Sequence, residues 1–267
     1  ISVIVLPILP NQTFGPAPFN VLNPHNIWLM VVFVSGISFL GYVLIKIVGA
    51  RRGIGLTGLL GGIASSTAVT LSFARRSKDN TALSGPFALA TLVAWAAMFV
   101  RVLAVVFALS PALARGLVVP MLSATAVGLA YCAYLHFTQR YSETESAEFS
   151  NPFELGPALR FGAIYAVVLL ISRTAQVTFG NPGVYLSSFV SGLADVNAIA
   201  LSMVDLTQRG GGLAVDVARR AIIIAAMANT LFKGIFALSV GSPNLRRVLW
   251  PGLAAVLVTG IVAALLG

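Results

Sequence analysis

The sequence predicts an all-α integral membrane protein built from two homologous helical repeats with about eight membrane segments. Three observations lead there. Of the 267 residues, 58% are hydrophobic and 9% are charged, against about 25% charged in a soluble domain. Several apolar runs reach the roughly 18–20 residues that a helix needs to cross a bilayer. The chain also resembles itself: residues 62–72 (GIASSTAVTLS) return 130 positions later as residues 192–202 (GLADVNAIALS), with Gly, two Ala, Leu and Ser in register.

Residues 1–27 carry no Lys, Arg, Asp or Glu and are rich in Pro and Asn. They read as a membrane-edge segment. With no initiator Met and no charged start, they look like the tail of a preceding region, so the chain is expected to be a piece of something longer. The first span is about 28–48, closed by Lys46 and Arg51-Arg52. The second, about 54–73, lies between Gly53 and Arg75-Arg76. The third runs over about 85–109 and stops at Pro111. The fourth, about 113–138, ends in an aromatic edge of Tyr131, Tyr134, His136 and Phe137, as helices do at the headgroup level. An acidic connecting loop, 139–157, holds Glu143, Glu145, Glu148 and Glu154. The pattern then restarts with spans at about 158–179, 184–204, 214–240 and 248–266.

The restart is a repeat and not only a similarity of hydropathy. Ala97-Met98 matches Ala226-Met227, and residues 107–110 (FALS) match 236–239 (FALS) at the same offset. Pro120 matches Pro251 after a small shift. Repeat 1 is therefore 28–138 and repeat 2 is 158–267. Two orientations are open. With eight full crossings the copies are parallel, and the loops divide Lys and Arg eight to six. With broken or re-entrant segments 54–73 and 184–204 the copies are inverted, and the division is ten to four. The excess of basic residues on one side of a membrane prefers the second.

Composition excludes several function classes. The net charge of +9 comes from Lys and Arg in short loops, where they set membrane orientation, so nucleic acid is not expected as a partner. A single cysteine, Cys132, leaves no internal disulfide and no thiolate metal site. The two His residues, His25 and His136, fall near membrane edges. No nucleophile, base and acid can be assembled from these, so no enzyme activity is expected. Gly210-Gly211-Gly212 has no Walker pattern after it and reads as a turn.

The candidate site follows from the aligned polar segments. Asp195 is the acidic residue placed inside a long apolar run, and a carboxylate at bilayer depth marks function by default. It aligns with Ser65, and Asn197 aligns with Thr67. Duplicated, interrupted polar segments are where transporters place substrates. Asp195, Asn197, Ser65 and Thr67 are candidate oxygen ligands for a hard metal cation, with Ser66 and Thr70 beside them. On a regular helix Asp195 and Asn197 point about 200° apart, so convergence needs an unwound stretch. The structural alternative pairs Asp195 with Arg101, Arg173 or Lys233. Arg101 and Lys233 hold similar places in the two repeats, one turn out of register, and are read as tuning or gating the pathway. Asn229, one turn before Lys233, is read either as pathway-lining or as an interhelical hydrogen bond. Gly58 and Gly62 have the small-xxx-small spacing of close helix packing.

Residues 49–62 (GARRGIGLTGLLGG) and 65–68 (SSTA) resemble the MgtC/SapB-type bacterial membrane proteins. More narrowly, they are similar to the C-terminal domain of unknown function in the longer members, whose second signature resembles residues 191–198 (SGLADVNA). The resemblance implies an inner-membrane protein of bacteria or archaea with an N-terminal MgtC-like membrane domain in the full-length form, and evokes magnesium homeostasis. It also implies Asp where this chain has Asn197, one charge more than is present here.

These readings combine into a membrane transport protein that moves a metal cation through a mid-membrane site between the two polar segments. The bilayer and a homo-oligomer are the expected partners, with no cofactor beyond a bound ion. The rivals are a non-transporting regulatory or assembly module, and an exporter of an anion or small organic solute that uses Arg101 and Lys233.

Overall fold

Helices dominate because the apolar stretches must satisfy their own backbone groups where no water is available. The computed structural model describes residues 2–48, 54–138, 155–208 and 212–266. Arg51, Arg52, Gly53, the glutamates of the acidic loop, Arg209 and Gly210-Gly211 lie outside the described residues. The order is α1 (Ser2–Ile8), α2 (Pro24–Val48), α3 (Ile54–Asp79), a 3-10 turn (Thr81–Leu83), α4 (Ser84–Leu109), α5 (Pro111–Thr138), α6 (Leu155–Ala194), α7 (Val196–Gln208), α8 (Val215–Val240) and α9 (Pro243–Leu266). The opening membrane-edge segment begins as a short helix, α1. It then turns through a single bridge between Phe14 and Leu22 before α2.

Among the described residues, six helices are long and apolar enough to cross a membrane: 55–79, 81–109 (the 3-10 turn with α4), 111–138, 159–194, 215–240 and 243–265. The 25-residue α2 is apolar as well, over 24–40 among the residues whose side chains are described. The helix composition is that of a multi-pass membrane protein. The expected boundary between 179 and 184 is present as a kink inside α6: Gly180 takes φ 63°, the left-handed region open to glycine, and Pro182 follows it. The helix expected from 248 starts five residues earlier, at Pro243, with Ser242 as its cap: the Ser242 hydroxyl accepts from the Leu245 amide at 3.1 Å.

The chain forms two compact units, each discontinuous in sequence. One comprises 1–36, 105–117 and 153–229; the other comprises 37–104, 118–152 and 230–267. Each therefore draws on both halves of the sequence. In the second unit, Val69, Phe73, Phe87, Trp95, Leu135, Leu249 and Leu253 share one buried cluster, and the Phe73 and Phe87 rings stack 5.1 Å apart. The small-residue spacing on α3 has a direct use there. A Cβ placed on Gly58 would lie 2.5 Å from the Ala90 carbonyl oxygen, and one on Gly62 2.5 Å from the Ala94 Cα. α3 and α4 touch backbone to backbone. In the first unit Gly192 meets Ala225 of α8 in the same way, at 2.6 Å.

Those contacts generate a stability prediction. Gly62→Ala must push α3 off the α4 backbone, and overpacking of this kind costs ~1–3 kcal/mol. Gly36 has nothing within 4 Å of an added Cβ, so Gly36→Ala should be neutral or gain up to ~1 kcal/mol from helix propensity. Thermal unfolding of both variants in detergent tests the contrast; equal midpoints would contradict the packing assigned to Gly62.

Candidate functional site

The two segments aligned at an offset of 130 residues are both interrupted, and at the aligned positions. α3 loses helical geometry at Ser65 (φ −161°, ψ 99°), an extended conformation that any residue adopts. α6 ends at Ala194 and α7 starts at Val196, so Asp195 is the break. Each break leaves a short helix start without acceptors for its first amides. The residue at the break supplies one. The Ser65 hydroxyl accepts from the Ala68 amide at 3.3 Å. The Asp195 Oδ1 accepts from the Asn197 amide at 2.6 Å and the Ala198 amide at 3.4 Å. Ser and Asp are among the preferred residues for this capping role.

The other side of each break leaves carbonyls where the regular helical ladder stops. In α3 the Arg101 guanidinium of α4 fills that gap: its Nη1 donates to the carbonyls of Ile63 (2.8 Å) and Ala64 (3.2 Å). A cation at the C-terminal end of a helix also suits the helix dipole. In the first unit the Asn229 Nδ2 of α8 donates to the Gly192 carbonyl at 2.8 Å. Asn229 therefore makes the interhelical hydrogen bond that was one of its two readings.

Lys233, one turn beyond Asn229, is the most buried cation of the described residues at 2% exposure, so it does not snorkel to an interface. Its Nζ donates to the Ser66 Oγ of α3 at 3.0 Å and touches the Met98 Sδ of α4 at 2.8 Å. Met98 is one turn before Arg101. One unit therefore brings together Ser65, Ser66, Thr67, Met98, Arg101 and Lys233 around the α3 break. Ser65 and Thr67 are exposed while Ser66 is buried, so the capped end opens on one side and meets Lys233 on the other. Thr70 serves structure: its hydroxyl donates to the Ser66 carbonyl at 2.8 Å and accepts from the Trp95 indole at 2.9 Å.

Asp195, Asn197 and Asn229 belong to the other unit. The break does bring Asp195 and Asn197 together, as an unwound stretch should: the Asn197 Nδ2 donates to the Asp195 Oδ1 at 2.9 Å. That oxygen thus takes three donors. Of the basic side chains considered as its counter-charge, Arg101 and Lys233 hold the groups just described, and Arg173 donates to the Pro18 carbonyl and to Gln176. Among the described residues no group of three or more His, Cys, Asp and Glu side chains gathers. The sequence reading missed Met98, although the Ala97-Met98 pair had served as an anchor of the repeat. Its place one turn from Arg101 was the available signal.

A helical membrane protein of the multi-pass class with interrupted, side-chain-capped helices is thus defined. The chain belongs to the family described as "Domain of unknown function (DUF4010)", whose model matches residues 32–241. It is also 37% identical over 193 residues to a protein of Aquifex aeolicus (strain VF5) described as "Uncharacterized protein", covering 72% of this chain and 84% of that one. No solved structure matches.

The cap generates the next prediction. Asp195→Ala should lose about 1 kcal/mol, the usual cost of an N-cap. Asp195→Ser should recover most of it, since a hydroxyl serves at Ser65. Unfolding midpoints in detergent check this, and a Ser variant as unstable as the Ala variant would show that the charge, and not the cap, is what the fold needs.

Proposed function

We propose that this protein is a transporter of small anionic solutes, built on two sequence repeats, with an anion seat at the α3 break. The observation that carries the reading is Lys233: a buried ammonium held at the Ser66 hydroxyl, at the start of the second half of α3. A helix start is electropositive, so a cation placed there raises the local potential further. Arg101 stands on the other side of the break. Interrupted membrane helices present donors to anionic groups at their N-terminal ends and acceptors to cations at their C-terminal ends. Here the acceptors are engaged by Arg101 and Asn229, while the helix start carries the exposed Ser65 and Thr67 hydroxyls on one side and Lys233, bound to Ser66, behind it. Asp195 supports the same view. At the aligned break a carboxylate of the chain itself caps the helix, where α3 has the neutral Ser65. A solute carboxylate would do at Ser65 what Asp195 does in its own unit.

The metal-cation reading keeps one observation in its favour, the convergence of Asp195 and Asn197. It would place the ion on their remaining oxygens. No reaction is assigned to the protein in either reading. An inner-membrane location and an N-terminal MgtC-like partner domain are further proposals that rest on the sequence resemblance, and a homo-oligomer is proposed beside them.

Purified protein in proteoliposomes separates the readings, with labelled carboxylate, sulfate and phosphate anions run beside labelled divalent cations. Anion uptake is expected, falling about tenfold or more in Lys233→Met. Ser65→Asp should also suppress it, because a tethered carboxylate fills the seat while preserving the cap. Divalent uptake that survives Lys233→Met and disappears in Asp195→Asn would return the function to a cation.

A further inference from the structure

One end of the second unit carries features that the transport reading does not use. α3 ends there at Asp79, and α4 and α9 begin there. The ends are tied together by hydroxyls: Ser242 donates its amide to the Ser77 Oγ at 2.9 Å, and the Ser242 and Ser84 hydroxyls lie 2.9 Å apart. Between the first turns of α4 and α9 is a cavity of about 250 Å³, lined by Thr81, Ser84, Gly85, Asn244 and Arg247 among others. It is much larger than a single water requires. None of its lining residues is acidic. Arg247, Asn244 and Thr81 are exposed and supply a guanidinium, an amide and a hydroxyl to one hollow. Arg75 and Lys78, also exposed, and Arg246 add positive charge at the same end.

The depth of this cavity is given by aromatic residues. Val248, another of its walls, accepts through its carbonyl a hydrogen bond from the Tyr131 hydroxyl of α5 at 2.8 Å. Tyr134 and Phe137, farther along α5, are 60% and 86% exposed, and Trp250, three residues after Arg247, is 58% exposed. Exposed Trp and Tyr beside a ring of basic residues mark the headgroup level of a bilayer. Basic hollows between membrane helices at that level suit phosphate-bearing headgroups, and Arg binds phosphate in a fork geometry that Lys lacks.

We infer that the Thr81–Arg247 cavity is a binding site for the phosphate of an anionic phospholipid headgroup, with Arg247 as its charged ligand and Asn244 and Thr81 as hydrogen-bond donors. The lipid would tie the start of α9 to the start of α4 from the membrane side.

The test uses the full chain in nanodiscs of phosphatidylcholine, alone or with about a fifth of the lipid as phosphatidylglycerol. Phosphatidylglycerol should raise the unfolding midpoint by roughly 3 °C or more and should remain bound in native mass spectra. Arg247→Gln and Asn244→Ala should each remove most of that increment, while Arg75→Gln, a cation of the same end outside the cavity, should keep it. Inorganic phosphate added to phosphatidylcholine discs is the second arm. No effect there supports a lipid source, whereas the same rise, lost in Arg247→Gln, would keep the phosphate site but overturn the lipid. No response to phosphatidylglycerol or phosphate, or an equal loss in Arg75→Gln and Arg247→Gln, would overturn the site, since attraction would then be diffuse.

Discussion

A helix that stops and restarts within an apolar bundle leaves amides on one side of the break and carbonyls on the other. Without water, each such group left alone costs on the order of a few kcal/mol. The fold depends on how those groups are matched. At both breaks the amides are met by the side chain of the break residue itself, Ser65 or Asp195. The carbonyls are met by a polar side chain from the following long helix, Arg101 or Asn229. Close approach makes this reach feasible. Gly58 and Gly62 bring α3 onto the backbone of α4, and Gly192 brings α6 onto α8. The glycines and the polar caps therefore work as a set.

The two breaks are matched with different charges, and that difference carries the functional reading. One has a carboxylate at the helix start and a neutral amide at the carbonyls. The other has a neutral hydroxyl at the helix start and a guanidinium at the carbonyls, with a buried ammonium added at Ser66. The first break is closer to internally neutral. The second concentrates positive charge where a helix start already attracts anions. Burying an ammonium is expensive, and the Ser66 hydroxyl and Met98 sulfur are the partners this one meets. The basic, aromatic end of the same unit, where α4 and α9 begin, stands apart from that chemistry.

Much of this was legible in the residues. Hydropathy and length gave the helices. The gap left between spans at 179 and 184 falls on the Gly180 kink of α6, and the Gly58–Gly62 spacing signalled close packing without naming α4 as the partner. Segments 54–73 and 184–204 were legible as candidates for interruption, but the break residues Ser65 and Asp195 come from the structure, because a residue able to cap a helix start can also sit inside a regular helix. The cluster at Lys233 was only half legible. Its basic character was noted, but its partner Met98 was read only as an anchor of register. Its spacing from Arg101 was a hint, but a thioether in an apolar helix does not by itself show which side chain of another helix it will face.

By itself the sequence determined that this is a helical membrane protein with two similar polar segments, since those properties follow from local composition and periodicity. It could not say which polar groups each interruption engages. Asp195 looks, as a lone carboxylate in an apolar run, like the centre of a cation site. The tertiary structure turns its Oδ1 onto its own helix start and puts Lys233 and Arg101 around the other break. Hydrogen-bond partners from distant segments depend on which helix faces pack together, and that is decided by steric fit among glycines and alanines rather than by any pattern within one segment.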